Sequence, residues 1–356
     1  MIEQYGWSDL LAQAFIPLAR DGLVPGRIIA QHRDGYRVAT DEGELRAKAA
    51  GRLLNEAEAL SHPAVGDWVA LSPNLPERSS TIHAILPRRT AFVRRAADSA
   101  QKPQVIAANV DVAFIVTSLN ADLNPRRLER YLAAAWQSGA RPVVVLTKSD
   151  LSAHPQAQAA EVAVVAGGCP VFVVSAWEGV GLDALLAQVG RGETCVLIGS
   201  SGVGKSTLVN AFLGEDRMAT YAIREGDDQG RHTTSHRELF LLADGGLMLD
   251  TPGIREVGLI EADEGVSAVF DDIEQLAENC RFNNCGHATE PGCAVRAALE
   301  SGALDPARWA HFKKLEQELA AGEKKGDRMN ADAERRRLVG LQKVYRAAKR
   351  DSRGKD

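Results

Sequence analysis

The residues with the strongest chemical pattern lie between Gly199 and Thr207. Gly199, Gly204, Lys205 and Ser206 fit the pattern G-x-x-x-x-G-K-[ST]. A short apolar run precedes them and a helix-forming sequence follows, which is the context that this motif requires. In such a loop the backbone N–H groups face a phosphate chain, the lysine reaches the distal phosphates and the hydroxyl binds Mg²⁺. The sequence therefore predicts a phosphate-binding loop made of Gly199, Ser200, Ser201, Gly202, Val203, Gly204, Lys205, Ser206 and Thr207.

Three more polar loops follow predicted strands. They contain, in chain order, Thr147, Lys148, Ser149 and Asp150; then Ser175 and Ala176; then Asp250 and Gly253. Because strands alternate with helices in this part of the chain, we expect a mostly parallel sheet, whose ligands lie at the carboxyl ends of the strands. These loops are therefore expected to reach the same ligand as the phosphate-binding loop.

The chemistry of these loops predicts a guanine nucleotide. Asp150 can accept hydrogen bonds from the N1–H and the exocyclic amine of guanine, whereas adenine presents the wrong edge. Backbone N–H groups of residues 175–176 can bind the guanine O6. Asp250 can hold Mg²⁺ through water, and the N–H of Gly253 can contact the γ-phosphate. The acidic side chain at position 150 argues against an ATP-using enzyme, which nevertheless remains an alternative.

A cluster of soft ligands predicts a metal site. Four such residues within fourteen form the pattern C-x4-C-x-H-x5-C: Cys280, Cys285, His287 and Cys293. Three thiolates and one imidazole make a closed tetrahedral site for one structural Zn²⁺. Free buried cysteines are the alternative. The two remaining cysteines, Cys169 and Cys195, lie in or near predicted α/β elements and are interpreted as core residues.

The elements that must position these residues form several domains. Residues 1–21 predict an amphipathic helix, and residues 22–95 predict five short strands separated by Gly and Pro turns. Residues 100–258 alternate strands and helices, residues 259–320 are mostly helical around the cysteines, and residues 321–356 form a basic helix or tail. The expected fold class is therefore multidomain, with an N-terminal OB-fold β-barrel, a central α/β P-loop domain and a C-terminal, mostly helical zinc-binding domain.

The predicted barrel leaves its role open. Its strands are expected at Val24–Ala30, Tyr36–Thr40, Glu44–Ala49, Val65–Leu71 and Ser80–Leu86. Barrels of this kind often bind nucleic acid, but a role in packing alone is the alternative. Four arginines directly after the strands would suit a phosphate backbone, or would form a solvated surface: Arg88, Arg89, Arg94 and Arg95.

Charge and composition indicate a protein of a reducing compartment, which we expect to be the cytoplasm. No apolar run is long enough to cross a membrane, and the five cysteines do not suggest a disulfide framework. The net charge is −5, but residues 323–356 contain twelve Lys or Arg and six Asp or Glu, so the rest of the chain carries −11. The basic tail is expected to meet an anionic partner such as rRNA, and a merely solvated helix is the alternative.

The order of the motifs carries a resemblance to a known family. The guanine loop and the Ser-Ala loop precede the phosphate loop, which is the order of circularly permuted GTPases. With the barrel before them and the cysteine cluster after them, roughly residues 22–320 resemble the ribosome small-subunit-dependent GTPase A family. The resemblance implies hydrolysis of GTP to GDP, stimulated by the 30S subunit with its 16S rRNA and acting late in its maturation. It also implies Mg²⁺ with the nucleotide, one Zn²⁺ and no membrane, and we expect a monomer.

Hydrolysis needs a complete set of Mg²⁺ ligands and a group that orients the attacking water. Thr233 or Thr234 would complete the Mg²⁺ ligands with Ser206 and Asp250. Small GTPases carry a water-orienting Gln after the last glycine of Asp-x-x-Gly, but Ile254 stands here. The best local candidate for the catalytic role is His232, as the resemblance also implies, unless it is only a loop residue. A non-enzymatic RNA-binding scaffold that is switched by GTP therefore remains the alternative function.

Overall fold

The computed structural model describes ten stretches of the chain: residues 2–19, 21–32, 34–51, 53, 62–94, 104–120, 123–214, 237–250, 269–282 and 285–317. The chain divides into two compact units. The first contains Met1–Leu259 and Glu264–Asp271, and the second contains Ile260–Asp263 and Asp272–Asp356. Within the described residues, no helix combines the length and the apolar character needed to span a membrane.

A closed five-stranded barrel follows the N-terminal helix. A 3₁₀ turn (Ile2–Tyr5) and helix α1 (Asp9–Ala19) lead into the strands β1 (Val24–His32), β2 (Gly35–Thr40), β3 (Gly43–Ala49), β4 (Trp68–Asn74) and β5 (Ser79–Ile85). Strand β1 pairs with both β2 and β4, and β5 joins β3 to β4, which closes the sheet. The expected OB-fold barrel is confirmed, and closure removes exposed sheet edges.

One barrel strand begins later than the sequence predicted. The apolar run suggested a strand from Val65, but β4 starts at Trp68 because residues 64–67 form a tight turn. Gly66 has φ of +92°, and a Cβ there would lie 2.1 Å from the carbonyl oxygen of Ala108. Only glycine allows this close approach of two backbones.

A hairpin that the sequence did not predict connects the barrel to the α/β region. Strands β6 (Ala91–Arg94) and β7 (Gln104–Ala108) pair in antiparallel fashion, and β7 ends at the alanine that contacts Gly66. Small apolar side chains of the hairpin pack against Ala64. The two described strands of this connection are therefore packed against the turn that contains Ala64.

Within the residues that the structure describes, six strands form the α/β region. They are β8 (Val112–Ser118), β9 (Arg141–Thr147), β10 (Val171–Val173), β11 (Thr194–Ile198), β12 (Arg237–Leu241) and β13 (Leu247–Asp250). Their order across the sheet is β10-β9-β8-β11-β13-β12, and all pair in parallel except β12. Every residue of β8 and β11 is buried, which explains the continuous apolar runs.

In the same described part of the chain, four α-helices accompany these strands: α2 (Pro125–Ser138), α3 (Pro155–Val165), α4 (Leu182–Leu186) and α5 (Lys205–Leu213). Helix α2 has the bounds that the sequence predicted, because its end signals are strong. The Asn124 side chain accepts from the N–H of Arg127, Pro125 occupies the first turn, and Gly139 ends the helix with a left-handed φ of +83°. One apolar cluster joins β8, β9, β11 and the helices α4 and α5.

The described residues of the second unit are mostly helical, as expected. Helix α6 (Asp271–Glu278) has all but its first residue in this unit, and helix α7 (Ala294–Ser301) follows the cysteine loop. Residues 306–317 are also helical. The guanidinium of Arg308 binds both carboxylate oxygens of Asp272, at 2.9 and 2.7 Å, and so ties this last segment to α6.

Candidate functional site

The phosphate-binding loop lies at the carboxyl end of β11. The strand ends at Ile198, and a Cβ on the next residue, Gly199, would lie 2.2 Å from the carbonyl oxygen of Val116 on β8. Helix α5 begins at Lys205, whose Nζ donates to the carbonyl oxygen of Gly199 at 2.7 Å and to that of Ser200. The ammonium group is thereby held across the loop, next to backbone N–H groups and a helix N-terminus that favour a bound anion.

The loop after β9 contacts the phosphate-binding loop directly. The buried hydroxyl of Thr147 donates to the carbonyl oxygen of Val203 at 2.6 Å, and Lys148 Nζ donates to that of Gly202 at 2.8 Å. Lys148 itself has a left-handed φ of +59°. Two segments that are more than fifty residues apart in the chain are thus joined by side-chain hydrogen bonds.

The loop after β10 binds the same segment from the other side. The hydroxyl of Ser175 donates to Asp150 Oδ1 at 2.6 Å and accepts from the N–H of Glu178 at 3.2 Å. Backbone hydrogen bonds between Ser175 and Val180 close the turn. The carboxylate at position 150 is therefore oriented by a partner whose own position is fixed.

Asp250 is the last residue of β13, which pairs in parallel with β11 through Leu249 and Val196. It therefore lies at the same end of the sheet as the phosphate-binding loop. On its other side it is the cross-strand partner of Glu238 on β12.

The structure brings together most of the nucleotide residues that the sequence predicted. Residues 147–150, 175–176 and 199–207 and Asp250 all occupy the carboxyl ends of neighbouring strands. The remaining predicted residues lie outside the part of the chain that the structure describes: His232, Thr233, Thr234 and Gly253, together with Ile254 and the tail from residue 321. Their predicted roles stay predictions.

One exposed side chain at this site was not singled out from the sequence. Trp177 follows Ser175 and Ala176 directly, and its side chain is 88% exposed. Large aromatic side chains are rarely left so open on a soluble domain. An indole directly after a predicted base-contact loop was the available signal.

The four predicted metal ligands converge in the second unit. Cys280 Sγ lies 3.6 Å from His287 Nδ1 and 3.9 Å from Cys293 Sγ, and the nitrogen and the second sulfur are 3.5 Å apart. All four ligand atoms, including that of Cys285, lie within 4.8 Å of one another. Tetrahedral Zn²⁺ with metal–sulfur bonds of about 2.3 Å places its sulfur ligands about 3.8 Å apart. The cluster therefore fits a tetrahedral metal ion.

Backbone groups support these ligands. The N–H of Ala294 donates to Cys280 Sγ and that of Arg296 to Cys293 Sγ, each at 3.4 Å. Cys293 is also the N-cap of α7, where the helix dipole favours a negatively charged thiolate. Outer hydrogen bonds of this kind orient metal ligands.

Glu290 organises the loop that carries the histidine. Its carboxylate accepts hydrogen bonds from the N–H groups of Gly286, Ala288 and Thr289 at 2.8–2.9 Å. Hydrogen bonds from backbone N–H groups, its own first, lower the pKa of Glu290 to about 2. The ionised side chain therefore holds the loop in place at neutral pH.

The junction between the barrel and the α/β region contains a buried arginine. Arg27 on β1 donates to the carbonyl oxygens of Tyr5, of Gly66 at 3.3 Å and of Asn109 at 3.2 Å, and to Thr194 Oγ1 at 2.8 Å. Its guanidinium also lies 5.4 Å from the ring centroid of Trp68. A single side chain thus connects the N-terminal turn, the barrel and the first residue of β11.

The first of the arginines after the barrel is not a phosphate contact. Arg88 is mostly buried and binds both carboxylate oxygens of Asp67 at 2.7 Å, so the suggestion that it meets a phosphate backbone is wrong. Arg89 pairs with Asp111 at 2.9 Å. Arg88 therefore serves the junction, because the buried carboxylate of Asp67 needs a cation, whereas the pair of Arg89 and Asp111 is partly exposed.

Of the two cysteines outside the cluster, Cys195 is a core residue as the sequence predicted, whereas Cys169 lies in the loop before β10 and outside the core. Cys195 is fully buried within β11, and burial raises the pKa of its thiol to about 12. Cys169 is half-buried, and burial also raises its pKa. Both remain neutral thiols at physiological pH.

Comparisons with known proteins agree with this arrangement. Residues 85–260 match the family described as RsgA GTPase. The chain is 46% identical over 362 residues to the small ribosomal subunit biogenesis GTPase RsgA of Opitutus terrae, and the alignment covers 98% of each protein. It is 48% identical over 320 residues to the protein of the same name from Streptomyces coelicolor, covering 89% of this chain and 86% of that one.

Two solved structures share the fold. YjeQ from Thermotoga maritima superposes with a TM-score of 0.64 at 24% identity, covering 84% of this chain and 99% of that one. YloQ, whose structure is described as a circularly permuted GTPase, gives a TM-score of 0.60 at 23% identity and covers 84% and 96%. At these identities the likeness concerns the fold alone.

Proposed function

The chain belongs to the RsgA GTPase family, and from this premise we propose that it hydrolyses GTP to GDP and phosphate during late maturation of the small (30S) ribosomal subunit. The two relatives described above carry small ribosomal subunit biogenesis in their names. The order of the loops along the chain is that of a circularly permuted GTPase domain.

One observation carries the nucleotide part of the proposal. Thr147 and Lys148 bind the carbonyl oxygens of Val203 and Gly202, so the loop that would select the base is joined to the loop that would hold the phosphates. Asp150 is held by a hydrogen bond from Ser175, and we propose that its carboxylate accepts from the guanine edge. We propose that residues 147–150, 175–176 and 199–207 bind GTP and GDP.

The residues around the phosphates define the expected chemistry. Ser206 and Asp250 offer a hydroxyl and a carboxylate, which are ligands that Mg²⁺ accepts, and Thr233 or Thr234 would join them. A bound Mg²⁺ would neutralise charge on the phosphate oxygens. Lys205 would stabilise the same charge, and the N–H of Gly253 would contact the γ-phosphate.

The attacking water needs an orienting group. Ile254 has no polar atom with which to orient it, so we propose that His232 does so. Replacing His232 by Ala should lower turnover and spare GTP affinity, whereas the exposed His154 provides a matched control for loss of a histidine. Equal loss of turnover and affinity in His232→Ala would contradict the assignment.

We further propose that the Cys280, Cys285, His287 and Cys293 cluster holds one structural Zn²⁺. Ligand separations of 3.5–3.9 Å among three of these groups support this assignment. In this role the metal would stabilise the loop between α6 and α7 and take no part in hydrolysis.

The proposal for partners and boundaries extends beyond the described residues. The proposed domains are the barrel at 22–95, the GTPase domain at 100–258, the zinc domain at 259–320 and the basic stretch at 321–356. Of these, the barrel and the basic stretch would contact 16S rRNA. The protein would act as a cytoplasmic monomer. Salt dependence of binding to 30S subunits, compared between the full chain and a variant ending at residue 330, tests the role of the tail.

GTP turnover with and without 30S subunits tests the central proposal. We expect turnover to rise when subunits are added, and we expect GTP but not ATP to compete with a fluorescent GDP. Lys205→Ala should abolish nucleotide binding. Tight GTP binding without turnover in either condition would favour the GTP-switched scaffold, and equal competition by ATP would overturn the assignment of Asp150.

A further inference from the structure

The barrel and the α/β sheet form one continuous sheet through a short joint. Strand β1 of the barrel pairs with β12 through two residue pairs, Ala30 with Glu238 and Gln31 with Arg237. In addition, Arg237 Nη1 donates to Gln31 Oε1 at 3.0 Å. Strand β12 would otherwise be the edge of the α/β sheet.

The pairing registers align four residues in one row across four strands. Asp250 on β13 lies opposite Glu238 on β12, Glu238 lies opposite Ala30 on β1, and Ala30 lies opposite Arg37 on β2. Directly opposed residues place their side chains on the same face of a sheet. The row therefore runs from the barrel to the predicted Mg²⁺ ligand.

Arg37 reaches across this row. Its Nη2 donates to Glu238 Oε1 at 2.7 Å, although two strand spacings, about 10 Å, separate the backbones. The buried residue between them is Ala30, whose small side chain leaves the path open. Both charged side chains are about one third exposed, at 39% and 33%, so the contact lies at the edge of the solvent.

The contact has an electrostatic consequence for Asp250. Two carboxylates directly opposite each other on neighbouring strands repel and destabilise the pair. Arg37, whose Nε also lies 3.5 Å from Glu44 Oε2, neutralises charge on the carboxylate of Glu238 and so relieves this repulsion at the end of β13. Its own neighbour on β3, the exposed Arg46, has the same charge but lies one strand farther away.

We propose that Arg37 is a positioning residue for GTP hydrolysis: bound to Glu238 across Ala30, it fixes the end of the β12–β13 pair that presents Asp250. The inference rests on the proposed function, because it assigns the Asp250 end of that pair to the Mg²⁺ site. By this proposal, a side chain of the barrel helps to position a residue of the hydrolytic site.

Single-turnover hydrolysis at saturating GTP tests the proposal in the full chain. Arg37→Ala should slow the reaction about fivefold, the size that a partly exposed ion pair allows. Arg37→Lys should retain more than half of the rate, because it keeps the charge. Arg46→Ala, the matched control from the same row, should behave as the unmodified chain.

A double-mutant cycle identifies the route of the effect. In a Glu238→Gln background the repelling charge is gone, so adding Arg37→Ala should cause no further loss. The proposal is overturned if Arg37→Ala slows hydrolysis as much in the Glu238→Gln background as in the unmodified chain. It is also overturned if Arg46→Ala slows hydrolysis as much as Arg37→Ala, or if Arg37→Ala alone changes the rate by less than twofold.

A binding measurement keeps the test separate from the proposed function. If the unmodified chain hydrolysed no GTP with or without 30S subunits, the proposed function would fail. Release of a fluorescent GDP would still decide the positioning role. Arg37→Ala should speed release about fivefold in Mg²⁺ and leave it unchanged in excess EDTA, since Asp250 acts through the cation. Equal release rates in Mg²⁺ would overturn the inference.

Discussion

Replacing Arg27 by Met should destabilise the first unit strongly while keeping the space nearly filled. The arginine is 2% exposed and donates to four oxygens in three parts of the unit. After the substitution Gly66 O still accepts from Asn109 Nδ2 at 3.0 Å, so three acceptors lose their donor. Because Met nearly fills the space of Arg, the loss of stability reports the lost hydrogen bonds and not a new cavity.

The magnitude follows from those three acceptors. Each unsatisfied buried acceptor costs about 1–3 kcal/mol, and removing a buried cation recovers part of that cost. The neighbouring carboxylates keep their own cations, since Asp67 binds Arg88 at 2.7 Å and Asp111 binds Arg89 at 2.9 Å. We therefore expect a loss of about 3 kcal/mol, with no contribution from an uncompensated charge.

Thermal and denaturant unfolding followed by circular dichroism measure this loss. For a unit of this size about 3 kcal/mol lowers the midpoint of thermal unfolding by about 6–12 °C. Arg46→Met, an exposed arginine on β3, should change the midpoint by less than about 2 °C. If Arg27→Met also shifted the unfolding midpoint by less than about 2 °C, the view that the guanidinium stabilises the junction would be refuted.

Three other predictions concern the two sites. The carboxylate of Glu290 accepts three loop N–H groups and its pKa falls from 4.5 to about 2, so Glu290 should stabilise the metal loop above about pH 4.5 and lose this effect as the pH falls toward 2. A carboxyl NMR titration checks the pKa. The variant Glu290→Gln should release metal faster at pH 7. Trp177→Phe should remove most of the change in tryptophan fluorescence on GDP binding, whereas Trp136→Phe should retain it. Gly199→Ala should weaken GDP binding more than about tenfold in equilibrium titrations, because its Cβ would lie 2.2 Å from Val116 O; unchanged affinity would contradict this.

Much of the fold could be predicted because its signals are local. Helix α2 has an Asn cap, a first-turn proline and a terminal glycine, and its bounds were predicted to the residue. The buried strands β8 and β11 gave continuous apolar runs, and the glycine loop after β11 indicated helix α5, which begins at Lys205, two residues before the predicted helical segment from Thr207. In each case a few neighbouring residues determine the structure.

The parts that the sequence did not predict depend on distant contacts. The turn at Gly66 is set by the backbone of Ala108, and the ion pair of Arg37 and Glu238 joins positions 201 residues apart. Neither partner has a local pattern that distinguishes it from a solvated charge. The predicted binding loops were easier, because the carboxyl ends of parallel strands meet whatever their order in the chain.

The barrel therefore contacts the α/β sheet in two physically different ways. Arg27 on β1 is buried and binds Thr194 at the beginning of β11, away from the ligand end, so its loss should lower stability and leave the hydrolysis rate of the folded protein within about twofold. Arg37 is partly exposed and faces the row that ends at Asp250, so its loss should slow hydrolysis and shift the unfolding midpoint by no more than about 3 °C. Measuring both quantities on both variants separates the two roles. If the hydrolysis rate and the unfolding midpoint fell together in either variant, a single cause would explain both contacts. The assignment of Arg27 to stability and of Arg37 to hydrolysis would then be wrong.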